Sequence, residues 1–311
     1  MPPNIENPVL KHPDMQALHD YVSGLPAPFV IYNKSHSGSR LLTRALAAQG
    51  VFMGGRLNDS EDSLPFVDLI YGLVENYYPD YQSLWRDPEA VGKVARHALA
   101  MTRDHLAGYD TRNFRGWGWK LCESGYALPV LTLLFPGLRA IHLLRDGLDM
   151  AFTDHVAPEL LFWRKIYFNT ANIQSWRGLG LSNRSYQRRP HLFNAVHWAN
   201  SVKIGRQHGS MLHERYYEVR YELLCKNFGA VMKDLLKFLA LEPDEKALAA
   251  IEASVSSGSI GKYHNVPRRK KQAVLKLITP ELYAFGYGRR LKPRKYPPVV
   301  ARILDRFGRA G

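Results

Sequence analysis

Cysteine is scarce in this chain, whose 311 residues include only Cys122 and Cys225. Two cysteines so far apart exclude a disulfide framework and a structural zinc site built on cysteine pairs. Long apolar runs are lacking as well. The most apolar stretch, residues 127–144, is interrupted by Pro129, Pro136 and Gly137, so it predicts a helix, a turn and a strand and not a membrane span.

The first thirty residues lack a basic segment followed by an uninterrupted apolar run, so no secretory signal is predicted. Together with the low cysteine content, this favours a cytoplasmic location. No linker rich in proline, serine or glycine divides the chain either. We therefore expect a single domain over residues 1–311.

Acidic residues are outnumbered, with 28 Asp and Glu against 42 Lys and Arg and a formal net charge of +14. This balance predicts attraction to phosphate, sulfate, nucleic acid or another anionic surface. The chain is 46% apolar and 23% charged, which is ordinary for a globular protein. These values exclude disorder, collagen and coiled coil as descriptions of the whole chain.

Short apolar runs alternate with helical patterns along the sequence. This alternation is typical of an α/β fold, and we expect a three-layer sandwich around a central parallel sheet. Strands are predicted at residues 29–32, 117–120, 140–144 and 216–221, and helices at 41–50, at 125–135, after Gly147 and at 228–239.

A polar loop at residues 33–40, which reads Asn-Lys-Ser-His-Ser-Gly-Ser-Arg, joins the first predicted strand to its helix. Backbone N–H groups and short hydroxyls at a helix N-terminus favour a bound anion. The Walker pattern is absent, because Arg40 stands two residues after Gly38 and no Lys-Ser/Thr pair follows, which disfavours ATP hydrolysis. Taken alone, the loop is more typical of an ordinary polar turn.

The segment at residues 141–153 is the second candidate for ligand binding. If its strand ends at Leu144, Arg145 lies at the carboxyl end of the sheet, where open α/β sheets bind ligands. Thr153 follows eight residues later, and both side chains can face one phosphate. The alternative is a surface pair between Arg145 and Asp146 or Asp149.

Together these two segments resemble those of the sulfotransferases that use 3'-phosphoadenosine 5'-phosphosulfate (PAPS). Residues 36–42 resemble the family's [KR]-S-G-T-T-x-L loop, and residues 145–153 resemble its R-D-x-x-D segment with a Ser or Thr eight residues after the Arg. Three further matches follow in the family's order at Trp119-Lys120, at residues 220–224 with Phe238-Leu239, and at residues 257–263. The resemblance covers most of the chain, and it implies the P-loop-like sulfotransferase fold.

The resemblance implies sulfuryl transfer from PAPS, as co-substrate and without a metal, to an acceptor hydroxyl. Lys120 and His36 would stabilise the leaving group, and fifteen residues would hold the nucleotide. These are Lys34, Ser35, His36, Ser37, Gly38, Ser39, Arg40 and Leu41 in the first loop, then Arg145, Thr153 and Tyr221, and then Gly258, Ile260, Gly261 and Lys262 in the late loop.

Two positions depart from the family pattern. His36 stands where the family usually has Lys or Arg, and Arg40 stands where it usually has a second Thr. A histidine helps less than a fixed cation, because it donates only in the right tautomer or when protonated. Arg40 or Lys34 would then supply the missing charge, and a catalytically inactive relative is the alternative.

An acceptor hydroxyl also needs a general base. Phenol-type members of the family use a His two residues after the strand Lys, where this chain has Cys122 followed by Glu123. Carbohydrate-type members use a Glu about twenty to thirty residues after the first loop. Glu61 is therefore the first candidate, Glu123 the second and His155 a third, and the acceptor is expected to be a carbohydrate or another alcohol. The alternative for residues 59–62 is a solvated turn.

Residues 155–189 form a segment with six basic residues, one acidic residue and several interleaved aromatics. It is either an acceptor-binding insertion or a solvated excursion with its aromatics turned inward. The run Arg268-Arg269-Lys270-Lys271 leaves a basic nucleic-acid-binding protein as an alternative function. A P-loop kinase is a further alternative, although the missing Walker Lys disfavours it.

Overall fold

The structure is a computed structural model of the chain, and it describes residues 11–153 and 188–288. His155 and the segment from residue 155 to residue 187 lie outside the described residues. Within the described ranges, none of the helices combines the length and the apolar character that a membrane crossing requires.

Five parallel strands form one sheet. They are β1 (Phe29–Asn33), β2 (Val51–Phe52), β3 (Gly116–Lys120), β4 (Arg139–Leu144) and β5 (Tyr216–Arg220). Their order across the sheet is β2-β3-β1-β4-β5, and the central pairings place Val30 opposite Trp119 and Tyr32 opposite His142. The predicted parallel sheet is confirmed, whereas the two-residue strand β2 was not predicted.

Helices connect the strands and cover the sheet. In chain order they are α1 (Pro13–Ser23), α2 (Ser39–Ala48), α3 (Leu64–Tyr77), α4 (Gln82–Trp85), α5 (Pro88–His105), α6 (Ser124–Leu134), α7 (Gly147–Ala151), α8 (Pro190–Gly209), α9 (Tyr221–Lys226), α10 (Phe228–Phe238), α11 (Glu245–Glu252) and α12 (Arg268–Ala284). Short 3₁₀ segments occur at Ser210–Arg215 and Lys262–Asn265.

The central strand β1 shows why the fold has three layers. Its residues are buried throughout, and successive side chains point to opposite faces of the sheet. Val30 and Tyr32 pack in the core formed with α1, α3, α5 and α6, whereas Phe29 and Ile31 pack in the core formed with α2, α10 and α11. A sheet that is apolar on both faces needs helices on both, and the predicted three-layer sandwich is confirmed.

The strand order places a crevice above β1. From β1, the chain passes through α2 to β2 on one side of the sheet, whereas β4 is followed along the chain by β5 on the other side, so the connections leaving these neighbouring strands diverge. Open α/β sheets bind ligands at the carboxyl ends of strands at such a point. The loop after β1 and the residues that follow β3 and β4 therefore meet at one edge.

The stack of Phe66 on Trp119 provides a test of the packing between α3 and β3. Both side chains are fully buried, with ring centroids 4.0 Å apart and planes at 2°. We expect Phe66→Ala to lower the free energy of unfolding by about 3–5 kcal/mol, because it removes a buried aromatic side chain and leaves a cavity. Leu64→Ala, at the 40% exposed first position of α3, should change it by less than about 0.5 kcal/mol. Urea unfolding followed by circular dichroism measures both, and equal losses would contradict this packing.

Candidate active site

A cavity of about 980 Å³ opens at the carboxyl edge of the sheet. The first loop, the turn at residues 59–62, the residues at the ends of β3 and β4 and the late loop all contribute to its walls. Its lining is rich in charged and hydroxyl groups, which suits a polar, anionic ligand better than an apolar one. Ten of the predicted site residues line it: Ser35, His36, Gly38, Ser39, Arg40, Lys120, Glu123, Arg145, Thr153 and Lys262.

The first loop is shaped by a glycine and by a serine. Gly38 has a φ of 91°, and a Cβ built there would lie 2.2 Å from the ring of Tyr221, so the position needs glycine. The Ser37 hydroxyl donates to the backbone oxygen of Lys34 at 2.5 Å and thereby closes the turn. The N-terminus of α2 has no side-chain cap among the described residues, so its first N–H groups are available to an anion.

Arg145 follows β4 and reaches the first loop and the late loop at once. Its Nη1 donates to the backbone oxygen of His36 at 3.0 Å, and its Nη2 donates to that of Ser259 at 2.5 Å. The guanidinium lies 4.8 Å from the ring centroid of Tyr221, and the Tyr221 hydroxyl shares a hydrogen bond with Ser259. The Nε of Arg145 is buried and has no hydrogen-bond partner within the described chain.

Lys120, the last residue of β3, forms a buried ion pair with Asp62. The Nζ atom lies 2.6 Å from Oδ1 of Asp62, and it also donates to the backbone oxygen of Ser60. Lys120 is 2% exposed and nonetheless lines the cavity. The ion pair therefore holds an ammonium group at the carboxyl end of a central strand.

The turn at residues 58–62 decides which acidic side chain enters the cavity. The Asn58 side-chain oxygen accepts from the N–H groups of Ser60 and Asp62, and the Asn58 N–H donates to the backbone oxygen of Asp62. Within this turn Glu61 takes a positive φ of 64°, and its carboxylate receives a 2.6 Å hydrogen bond from Arg44 Nε. Asp62 consequently lines the cavity, whereas Glu61 is outside the set of described residues that do so.

Glu123 occupies the N-cap position of α6 at the cavity wall. Burial raises the pKa of its carboxyl to about 7, and the negative charge of Asp62 acts in the same direction. The hydroxyl of Ser35 donates to Glu123 Oε1 at a long 3.4 Å. Burial also raises the pKa of the neighbouring Cys122 thiol. At neutral pH this environment gives a carboxyl that can gain or lose a proton and a thiol that stays protonated.

Lys34 lies beneath the first loop, and the sequence offered no sign of its burial. The residue is 1% exposed, and its Nζ has no hydrogen-bond partner among the residues that the structure describes. Burial lowers the pKa of this ammonium group to about 7, against opposing effects from Cys122 and Glu123. Lys34 is thus a buried amine near Glu123, and it is not among the residues that line the cavity.

Several predicted residues hold the walls of the cavity together. Tyr221 packs on Gly38, Gly261 donates its N–H to Asp149, and the Thr153 hydroxyl, on the lining, donates to the Met150 backbone oxygen. Tyr71 and Phe152 also line the cavity. They were not predicted from the sequence, because neither belongs to a recognisable motif. The other predicted residues outside the lining are Leu41, Gly258 and Ile260.

No protein-family model matches this sequence, and no curated protein matches it. Several solved structures that do match are sulfotransferases. The sulfotransferase domain of the curacin biosynthetic pathway is 16% identical, with a TM-score of 0.47 over 82% of this chain and 98% of that one. The sulfotransferase domain of the Synechococcus PCC 7002 olefin synthase is 19% identical, with a TM-score of 0.46 over 83% and 94%.

The mouse sulfotransferase SULT7A1, whose structure is a complex with PAP, is 12% identical to this chain. Its TM-score is 0.45, with coverage of 89% of this chain and 93% of that one. All three TM-scores lie below 0.5, so these similarities carry no information about the chemistry of the site.

Replacement of Lys34 by methionine tests the burial of its amine. The amine has a pKa of about 7 in the folded chain and an ordinary value of 10.5 in the unfolded chain. Between these two pH values it is therefore mostly neutral in the folded chain and protonated in the unfolded chain. The contribution of this amine to wild-type stability should therefore rise with pH across this window. Lys34→Met lacks this dependence, so its advantage over the wild type should be largest near pH 7 and should shrink towards pH 10.

Thermal or urea unfolding of both proteins across this pH range gives the measurement. Lys93→Met, at an exposed position of α5, is the matched control, and its difference from the wild type should stay constant. A Lys34→Met difference that also stays constant from pH 7 to pH 10 would show that burial does not control protonation of this amine.

Proposed function

We propose that this protein is a sulfotransferase that moves a sulfuryl group from PAPS to an acceptor hydroxyl. The observation that carries this proposal is the meeting of three separate segments on one cavity: the first loop at the N-terminus of α2, Arg145 after β4, and Lys120 at the end of β3. The first loop and Arg145 supply hydrogen-bond donors for the two anionic groups of PAPS, the 5'-phosphosulfate and the 3'-phosphate. Lys120 supplies a cation at the place where the sulfuryl group would leave.

The 5'-phosphosulfate end of the donor fits the first loop. The uncapped N–H groups of α2 point to where an anion would lie, and Ser39, Arg40 and His36 line the same wall. Arg40 carries a fixed charge at the mouth of the loop, which compensates for the histidine at position 36. Gly38 permits close approach, because any side chain there would displace Tyr221.

The 3'-phosphate fits the opposite wall, where Arg145, Thr153 and Lys262 line the cavity. A buried guanidinium nitrogen without a partner costs free energy unless a ligand satisfies it, and Nε of Arg145 is such an atom. Charge-assisted hydrogen bonds to phosphate are among the stronger polar contacts in proteins. The residues present therefore fit this group.

Catalysis would rest on positioning and on charge stabilisation. The nucleotide supplies the activated sulfuryl group. The ammonium of Lys120 stabilises the negative charge that grows as the bond between sulfur and the phosphate oxygen breaks. Glu123 accepts the proton of the acceptor hydroxyl as the new bond between its oxygen and sulfur forms. Asp62 holds Lys120 at this place before the donor binds.

Glu123 is the general base that we propose, in preference to Glu61. It lines the cavity, and its pKa of about 7 allows it both to hold and to release a proton at neutral pH. The Glu61 carboxylate is instead bound by Arg44.

Asp59, Ser60 and Tyr71 extend the same wall with further polar groups, which supports a carbohydrate or another hydroxyl-rich alcohol as acceptor.

Replacement of Arg145 tests donor recognition. Arg145→Ala should weaken binding of 3'-phosphoadenosine 5'-phosphate (PAP) by about 1.5 to 3 kcal/mol, the cost of a charged hydrogen bond. It should leave binding of adenosine 5'-phosphosulfate, which lacks the 3'-phosphate, almost unaffected. Isothermal titration calorimetry on both ligands measures this difference. Equal losses would remove Arg145 from the 3'-phosphate site. Tighter binding of ATP with magnesium than of PAP by the wild-type protein would contradict the proposed function.

Replacement of Glu123 tests the base. Glu123→Gln keeps the size of the side chain but cannot accept the proton, so kcat should fall by about 10² to 10⁴ while PAP affinity changes little. In the wild type, kcat should rise as the pH passes upward through about 7, because the carboxylate is the active form. The variant should lose this rise. Formation of PAP from PAPS, with an acceptor selected from sugars and simple alcohols, provides the assay.

Glu61→Gln is the matched control, because it makes the same chemical change in the turn beside the cavity. It should retain kcat within a few-fold and keep the dependence on pH. If Glu61→Gln abolishes turnover and Glu123→Gln does not, the base is Glu61.

A further inference from the structure

Asp149, the second acid of the R-D-x-x-D segment, links α7 to the late loop, and neither that motif nor the proposed chemistry says what the residue does. Its carboxylate is buried and accepts two backbone hydrogen bonds, from the N–H of Gly261 to Oδ2 at 2.7 Å and from the N–H of Tyr263 to Oδ1 at 3.2 Å. Both oxygens are therefore used by a loop that lies more than 110 residues away along the chain.

The residue between these two N–H groups is Lys262, which lines the cavity. Gly261 has a φ of 78° and caps the 3₁₀ segment that begins at Lys262. With the N–H groups on both sides of Lys262 fixed by one carboxylate, the backbone at this position has a defined direction. The Lys262 side chain therefore starts from a Cα atom whose position in the loop is fixed.

The same carboxylate lies beside Arg145. Oδ2 of Asp149 is 3.9 Å from Nη2 of Arg145, and that Nη2 also donates to the backbone oxygen of Ser259. One buried carboxylate thus contacts both the guanidinium and the loop that carries the second cation. A carboxylate near a phosphate site repels the ligand unless its charge is compensated, and here two N–H groups and a guanidinium compensate it.

We propose that Asp149 is a positioning residue that builds the 3'-phosphate subsite before the nucleotide arrives, by fixing Arg145 and Lys262 relative to each other. This inference rests on the proposed function, because the subsite has meaning only for a nucleotide with a 3'-phosphate. Asp149 makes no contact with the ligand in this role. Its effect is confined to the part of the ligand that Arg145 and Lys262 would touch.

The test compares two nucleotides that differ only in the 3'-phosphate, PAP and adenosine 5'-monophosphate. Asp149→Asn leaves one oxygen to accept and places an amide donor against the second N–H, so one of the two loop hydrogen bonds is lost. We expect about a tenfold or greater loss of PAP affinity with little change for adenosine 5'-monophosphate, measured by calorimetry. A merely structural role would lower both affinities alike or only the melting temperature.

Asp146→Asn is the matched control. Asp146 lies in the same turn with the same 3% exposure, and it caps α7 by accepting from the N–H of Leu148. This change should lower stability without altering the ratio of the two affinities. If Asp146→Asn alters the ratio as much as Asp149→Asn does, general loosening of α7 accounts for the effect and the inference is overturned.

Hydrogen exchange on the wild type without nucleotide provides a second measurement that does not depend on a variant folding. The amides of Gly261 and Tyr263 should be protected, because Asp149 holds both. Exchange of both at the rate of an unstructured chain would overturn the inference. A wild type that binds PAP no better than adenosine 5'-monophosphate would instead contradict the proposed function. A wild type that prefers PAP, together with an Asp149→Asn variant that keeps this preference, would overturn the inference alone.

Discussion

The candidate active site depends on the position of one guanidinium group. Arg145 donates to the backbone of His36, 109 residues earlier, and to that of Ser259, 114 residues later. Its own backbone oxygen accepts from the indole N–H of Trp198, which anchors it to α8. Three segments that are distant in the chain are therefore joined at the carboxyl end of β4.

Several buried charged groups at or beside the cavity lie near a group of opposite charge. Lys120 faces Asp62, Arg145 lies beside Asp149, and the buried amine of Lys34 lies near Glu123. Attraction between such partners offsets part of the cost of burying each charge. Burial nevertheless has the larger effect at Lys34 and Glu123, whose pKa values both shift towards the neutral form. The same pairing keeps cations at fixed places where a nucleotide would need them.

The sequence was most informative where the physics is local. The apolar run of β1, the glycine turn and the stripe of α2 predicted a strand, loop and helix within one or two residues, and the site segments at Arg145 and Lys120 lie at strand ends as expected. Contacts across the chain were not predictable, because no local pattern reports the distance from Asp62 to Lys120 or the burial of Lys34. The two-residue strand β2 was too short to give a periodic signal.

Glu61 and Asp62 are neighbours of similar chemistry, yet the Asn58 turn gives one to Arg44 and the other to Lys120. Position in the turn, and not the type of acid, decides which carboxylate faces the cavity. Insertion of one residue between Asn58 and Glu61 would shift Glu61 into the place in the turn that Asp62 occupies, and deletion of one would shift Asp62 into the place of Glu61. In a related protein, the acidic residue that corresponds to Asp62 is therefore the one at the same number of residues from the asparagine of this turn.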